Sequence, residues 1–127
     1  MVDEVEKKKV LVVDDDTMVV TLMSKTLENM GFEVLKGFNG QEALTLIKQN
    51  KVDLVILDQM MPKMDGIKAC ALIKSDKRFR HIPVIMFTAS ADESDKRLSA
   101  EVGANAYCNK PLVIAVLKEK IQELLKI

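Results

Sequence analysis

The feature that most constrains this chain is alternation: five short apolar runs, each followed by a stretch of helical periodicity. The runs are Val10 to Val13, Phe32 to Lys36, Leu54 to Leu57, Val84 to Phe87 and Ala106 to Asn109, all of strand length. After the first, Val19, Leu22, Met23, Thr26, Leu27 and Met30 fall on one face of a helix over Met18 to Met30, and Gly31 supplies its stop. Asn39 or Gly40 can open a second helix over Gln41 to Gln49, and Asp65 caps a third that runs to Ser75. Ser94 to Val102 forms a more polar fourth ending at Gly103, and the last covers Leu112 to Lys126. Strict alternation predicts an α/β fold of three layers: a parallel sheet with right-handed crossovers and helices on both faces.

Strand composition suggests an order. The first, third and fourth strands are almost wholly apolar, as central strands covered on both faces should be, whereas Glu33, Lys36 and Asn109 mark the second and fifth as edges. The order 2-1-3-4-5 satisfies both conditions. In such a doubly wound sheet the ligand crevice lies beyond the carboxyl ends of the strands, at the switch point between the first and third.

A length of 127 residues suits one domain, expected over residues 9–127 behind a charged extension of residues 1–8. Lys plus Arg and Asp plus Glu both number 19, so the formal charge is zero, and no basic stripe offers itself to nucleic acid or to an anionic membrane. No apolar run approaches the roughly 20 residues of a membrane span, and the opening "MVDEVEKKK" is charged where a signal peptide is apolar. The expectation is a cytoplasmic protein. Cys70 and Cys108 lack the spacing of a redox or zinc motif and read as packing residues, while His81 stands alone in "RFRHIPV".

The chemistry gathers just past the strands: Asp14, Asp15 and Asp16 after the first, Asp58 after the third, Thr88 after the fourth and Lys110 after the fifth. Neighbouring first and third strands bring Asp58 to at least one of the acidic run, and carboxylates roughly 4 Å apart repel by about 4 kcal/mol at an intermediate dielectric. A divalent cation relieves that repulsion. Few carboxylates, with room for carbonyls, water and phosphate oxygens, suit Mg2+ better than Ca2+. With a hydroxyl and an ammonium alongside, the set is one for phosphoryl transfer, in which Asp58 attacks phosphorus, Mg2+ and Lys110 neutralise the transferred oxygens and Thr88 donates a hydrogen bond. Taken singly, the acidic run is also a solvated turn and helix cap, Thr88 a turn hydroxyl and Lys110 a surface lysine; their joint occurrence at four strand ends favours the site.

The segments "VLVVDDD", "LVILDQMMPKMDG", "VIMFTAS" and "GANAYCNKP" resemble, in order and spacing, the signature segments of the receiver domain of two-component response regulators. The likeness runs from about Val10 to the C-terminus and implies the flavodoxin-like (βα)5 fold. It also implies a metal-binding acidic pair at Asp14 and Asp15, with Asp15 the direct ligand, a phosphoacceptor at Asp58, and a metal-binding backbone carbonyl at Met60, with Mn2+ a plausible substitute for Mg2+. Thr88, with Ala89 after it, matches the family's hydroxyl position, Lys110 its lysine, and the bond from Lys110 to Pro111 its cis peptide. Tyr107 matches the aromatic that turns inward with the hydroxyl, and Gly66 allows the turn into the third helix. Asp16 falls outside the acidic pair and can begin the first helix instead.

The resemblance further implies a signalling protein that catalyses only its own phosphorylation and dephosphorylation. A histidine kinase or histidine phosphotransfer protein supplies the phosphoryl group, and a downstream protein reads the face of the fourth helix, fifth strand and fifth helix. Direct nucleic-acid and membrane contacts are not expected. On the fifth helix, Ile114, Leu117, Ile121 and Leu124 form the expected core stripe, with Val113, Val116 and Lys120 beside it. Thr17, Val20, Thr21 and Leu112 are candidates for kinase specificity. Met60 and Ser90 flank the phosphorylation site, and a thioether cannot orient water by a strong hydrogen bond, so slow self-dephosphorylation is expected. The start and end of the chain suggest a stand-alone receiver. The alternatives are a receiver piece of a transcription factor or hybrid kinase, and a pseudo-receiver scaffold that is never phosphorylated. A phosphatase with DxDxT after the first strand is disfavoured because Met18 occupies the threonine's place, and a flavin carrier because the first loop is acidic.

Overall fold

The computed structural model describes residues 7–61 and 63–127. Strands β1 (Lys9–Val13), β2 (Glu33–Gly37), β3 (Leu54–Leu57), β4 (Val84–Thr88) and β5 (Ala106–Asn109) alternate with helices α1 (Thr17–Asn29), α2 (Gly40–Gln49), α3 (Gly66–Ser75), α4 (Glu93–Glu101) and α5 (Ile114–Leu125). All pairings are parallel, in the order β2-β1-β3-β4-β5. This is the three-layer flavodoxin-like sheet expected from the sequence. Of the expected N-terminal extension, residues 1–6 lie outside the described residues, and Lys7 and Lys8 are exposed ahead of β1.

The period of two along each strand divides the core in two layers. Val10 and Val12 of β1, Leu54 and Ile56 of β3, and Ile85 and Phe87 of β4 pack with Val20, Met23 and Leu27 of α1 and Leu117 and Ile121 of α5. Leu11 and Val13, Val55 and Leu57, and Val84 and Met86 face the other way, onto Ala43 and Ile47 of α2 and Ala69, Cys70 and Ile73 of α3. Each fully buried Leu, Ile or Val contributes about 1.5–3 kcal/mol, so the sheet is held firmly from both sides. Both cysteines are buried packing residues, and burial pushes the Cys70 thiol up to about 11.

Several boundaries and faces differ from the expectation. On α1, Leu22 is 59% exposed and Val20 only 1%, because the helix phase set by its Asp16 cap turns positions 20, 23, 24 and 27 inward. Val20 is therefore unavailable as a surface specificity residue. The last helix begins at Ile114, not Leu112, and Ile114 is 55% exposed, outside the core stripe expected of it, which Leu117 and Ile121 form. Asp92 caps α4, which starts one residue before the expected Ser94 and ends at Glu101. The helix stops at Gly31 (φ 96°) and Gly103 (φ 98°) adopt left-handed backbone, the conformation glycine enters without steric penalty.

Candidate functional site

Strand geometry alone delivers the acidic residues to one place. The Val13 carbonyl at the end of β1 accepts the Asp58 N–H at 3.0 Å, so the chain leaves β1 and β3 at the same level. Asp14 and Asp58 are 2% and 5% exposed, and Asp15 is exposed. One carboxylate oxygen from each of the three lies within 4.8 Å of the others. Asp16 is not part of this group: its Oδ1 accepts the N–H of Met18 at 2.9 Å as the cap of α1, while its own N–H donates to Asp14 Oδ1 at 2.9 Å.

Lys110 enters from the end of β5. Its Nζ lies 2.7 Å from Asp14 Oδ2 and 3.3 Å from Asp58 Oδ2, and its N–H donates to the Thr88 carbonyl at 2.9 Å. The peptide from Lys110 to Pro111 is cis. Burial acts to lower the ammonium's pKa, but hydrogen bonding and charge from Asp14 and Asp58 outweigh it, and the net shift is upward. Asp14 Oδ2 is buried and is met only by this ammonium, with no further donor turned towards it.

An under-donated buried oxygen among three carboxylates and one ammonium fits a small, hard divalent cation. Asp14, Asp15 and Asp58 can supply oxygens, and the Met60 carbonyl, two residues beyond Asp58, belongs to the same loop. The Met60 N–H donates to Asp58 Oδ1 at 3.3 Å, and its side chain is 64% exposed.

The remaining expected residues surround this centre. Thr88 ends β4, is 1% exposed and accepts the Ser90 N–H at its Oγ1 at 3.4 Å; Ala89 between them is exposed. Tyr107 does not touch the carboxylates. Its hydroxyl donates to the Ser90 carbonyl at 2.8 Å, and its pKa is raised, chiefly by burial and further by Asp95, Asp92 and Asp58. Gly66 acts differently from expectation. Its φ is not left-handed; a Cβ there would fall on the Asp58 carbonyl oxygen and 2.8 Å from the Asp58 carbonyl carbon and Gln59 Cα, so the residue lets α3 pack directly against the backbone that carries Asp58.

Two participants were not legible. Gln59, 2% exposed, donates from Nε2 to the Asp95 carbonyl at 3.4 Å, and Asp95 accepts the Ser90 hydroxyl at 2.5 Å. Gln59 could have been flagged by its place directly after Asp58, but the inward turn of Asp95 depends on the exact start of α4.

Comparison with known proteins converges on one family. Residues 10–122 match the model of the response regulator receiver domain. The chain is 39% identical over 119 residues to the alkaline phosphatase synthesis transcriptional regulatory protein PhoP of Bacillus subtilis, covering 94% of this chain and 49% of that protein. It thus spans about half the length of such curated relatives. Among solved structures, the signal receiver domain of a signal transduction histidine kinase from Syntrophus aciditrophicus superposes with a TM-score of 0.87 at 33% identity, covering 94% of this chain and 90% of that one. A CheY-like response regulator receiver domain protein from Methanospirillum hungatei gives 0.87 at 32% identity over 95% of both chains. With the sheet order, the acidic group at the switch point and a match over nearly the whole length, the chain belongs to the response regulator receiver domain family.

Proposed function

We propose that this receiver accepts a phosphoryl group on Asp58 and converts it into a change of surface. The observation that carries the reading is the meeting of Asp14, Asp15 and Asp58 within 4.8 Å, with Lys110 against two of them. An Asp58 oxygen bonds to phosphorus as the phosphorus–nitrogen bond of a phosphohistidine breaks, and the departing imidazole keeps the bonding pair and takes up a proton. Lys110, already charged and aimed at Asp58, meets the incoming oxygens, and the Thr88 hydroxyl donates to one of them, with the Ala89 region forming the rim of the phosphate site. When Mg2+ or Mn2+ is bound by Asp14, Asp15, Asp58 and the Met60 carbonyl, it offsets negative charge on the transferred group.

Response regulators work with histidine kinases and downstream effectors, and a histidine kinase or phosphotransfer protein is the proposed donor here. The proposed readout is the α4-β5-α5 face, where Leu98, Val113 and Val116 are exposed at 42%, 55% and 46% and Tyr107 sits beneath. The relative from Bacillus subtilis is named a transcriptional regulator, which sits poorly with an expectation of no nucleic-acid contact for a whole protein; the zero formal charge speaks only for these 127 residues. Among the described residues no helix is long and apolar enough to cross a membrane.

Acetyl phosphate with Mg2+, followed by intact mass, tests the proposal. One added phosphoryl group on the wild type and none on Asp58→Asn is the expected result. An unmodified wild type would favour the scaffold reading.

A further inference from the structure

The loop after β4 is fastened at a single residue. The Ser90 hydroxyl lies 2.5 Å from Asp95 Oδ2 in the first turn of α4. Its carbonyl accepts the Tyr107 hydroxyl at 2.8 Å and the Asn109 side-chain amide at 2.6 Å, both from β5. Its N–H reaches back to Thr88 Oγ1 at 3.4 Å. The Asp95 carbonyl in turn accepts Gln59 Nε2, so the residue directly after Asp58 is joined to the same helical turn.

The direction of the shortest of these bonds matters. An ionised carboxylate has no proton to give, so Ser90 is the donor and its one hydroxyl proton is committed to Asp95. The Ser90 oxygen also accepts the Asp92 N–H at 3.3 Å. Gln59, joined through its Nε2 to the same turn of α4, keeps its Oε1 buried with no hydrogen-bond partner. A Ser90 hydroxyl released from Asp95 would therefore have other acceptors to turn to, at the rim of the crevice two residues beyond Thr88.

We propose that Asp95 is a positioning residue that, by holding the Ser90 hydroxyl against α4, withholds a hydrogen-bond donor from the phosphorylated site and prolongs the phosphoryl group on Asp58. The inference rests on the phosphoacceptor reading above. In the reaction it slows, a water oxygen bonds to phosphorus while the bond from phosphorus to the Asp58 oxygen breaks; the carboxylate is restored and the water protons leave with phosphate. A free hydroxyl can orient that water or steady the phosphoryl oxygens, whereas one bound to Asp95 cannot. The placement of α4 then sets the lifetime of the signal, and anything that draws the first turn of α4 outward shortens it.

The test is the decay of phosphorylated protein, followed by intact mass after removal of acetyl phosphate in the presence of Mg2+. Asp95→Ala should lose its phosphoryl group about fivefold faster than wild type, the kinetic worth of one net hydrogen bond. Asp95→Asn, whose side-chain carbonyl still accepts from Ser90, should fall between the two. In a Ser90→Ala background Asp95→Ala should give no acceleration, because no hydroxyl is left to release. A purely structural role for Asp95 would change the rate with or without Ser90. Unchanged or slower decay in Asp95→Ala, or acceleration that persists in the Ser90→Ala background, overturns the inference and leaves the phosphoacceptor reading intact. A wild type that takes up no phosphoryl group overturns both.

Discussion

Two partly buried lysines, Lys74 and Lys110, are pushed in opposite directions by their surroundings. Lys74, at the end of α3, donates to the carbonyls of Ile82 at 2.6 Å and Arg80 at 3.2 Å, closing the turn into β4. Burial lowers its pKa, opposed but not offset by Cys70. Lys110, at the other end of the sheet, faces two buried carboxylates that more than offset its burial and raise its pKa. Neutral carbonyls use the lysine as a strut and need only its donors. Carboxylates hold a positive charge in place, and a charge aimed at an open crevice is what a phosphoryl oxygen requires.

The sharpest way to break this comparison is to remove each charge while keeping the length of the side chain. Lys110→Met should slow phosphorylation by acetyl phosphate by about 10²–10³-fold, the usual loss when one preorganised group opposite developing charge is deleted, as read by intact mass against time. Lys74→Met should leave that rate unchanged. Equal rates for wild type and Lys110→Met would remove the distinction.

A glycine stands behind Asp58, the partner of Lys110, and another behind Lys74. A Cβ on Gly66 meets the backbone of Asp58, which cannot yield, so Gly66→Ala should cost about 3 kcal/mol in urea unfolding and impair phosphorylation as well. A Cβ on Gly103 meets the Lys74 side chain at 2.9 Å, which can move aside, leaving mainly the strain of left-handed backbone. Gly103→Ala should therefore cost about 1–2 kcal/mol and spare phosphorylation. Met60→Asn sharpens the comparison at the crevice alone: an amide in place of the exposed thioether should speed phosphoryl loss about fivefold, with no change in unfolding.

The smallest expected effect is in pH. Because the folded-state pKa of Lys74 lies below the ordinary 10.5, the unfolded chain binds the proton more tightly, and this lysine's contribution to stability rises as pH climbs from the folded value towards 10.5. Melting of Lys74→Met against wild type across pH 8–10.5, roughly the interval where lysine titrates, should show the variant lacking that upward slope.

Strand order and the convergence of the candidate site residues were legible for the same reason. Asp14, Asp58, Thr88 and Lys110 follow apolar runs whose ends the fold must bring together, so a rule about strand ends sufficed. Faces of helices were less legible. Leu22 and Ile114 are apolar and lie within a broad stripe, yet Leu22 lines a groove with Pro111 and Leu112, and Ile114 is exposed in the first turn of α5. Side-chain links such as Ser90 to Asp95 and Lys74 to Ile82 depend on loop paths that no periodicity encodes. Gly66 was noticed for the wrong reason, because backbone freedom can be guessed from a neighbouring aspartate while a close approach between distant segments cannot.

Tyr107 is the chain's only tyrosine, and there is no tryptophan. Its phenol hydrogen-bonds to the carbonyl of the loop that also holds Thr88 and Ser90. The phenol absorbance and fluorescence of these 127 residues thus come from one ring placed where the crevice meets its outer surface. A rearrangement of that loop that alters this hydrogen bond is written into the tyrosine signal, with no label added.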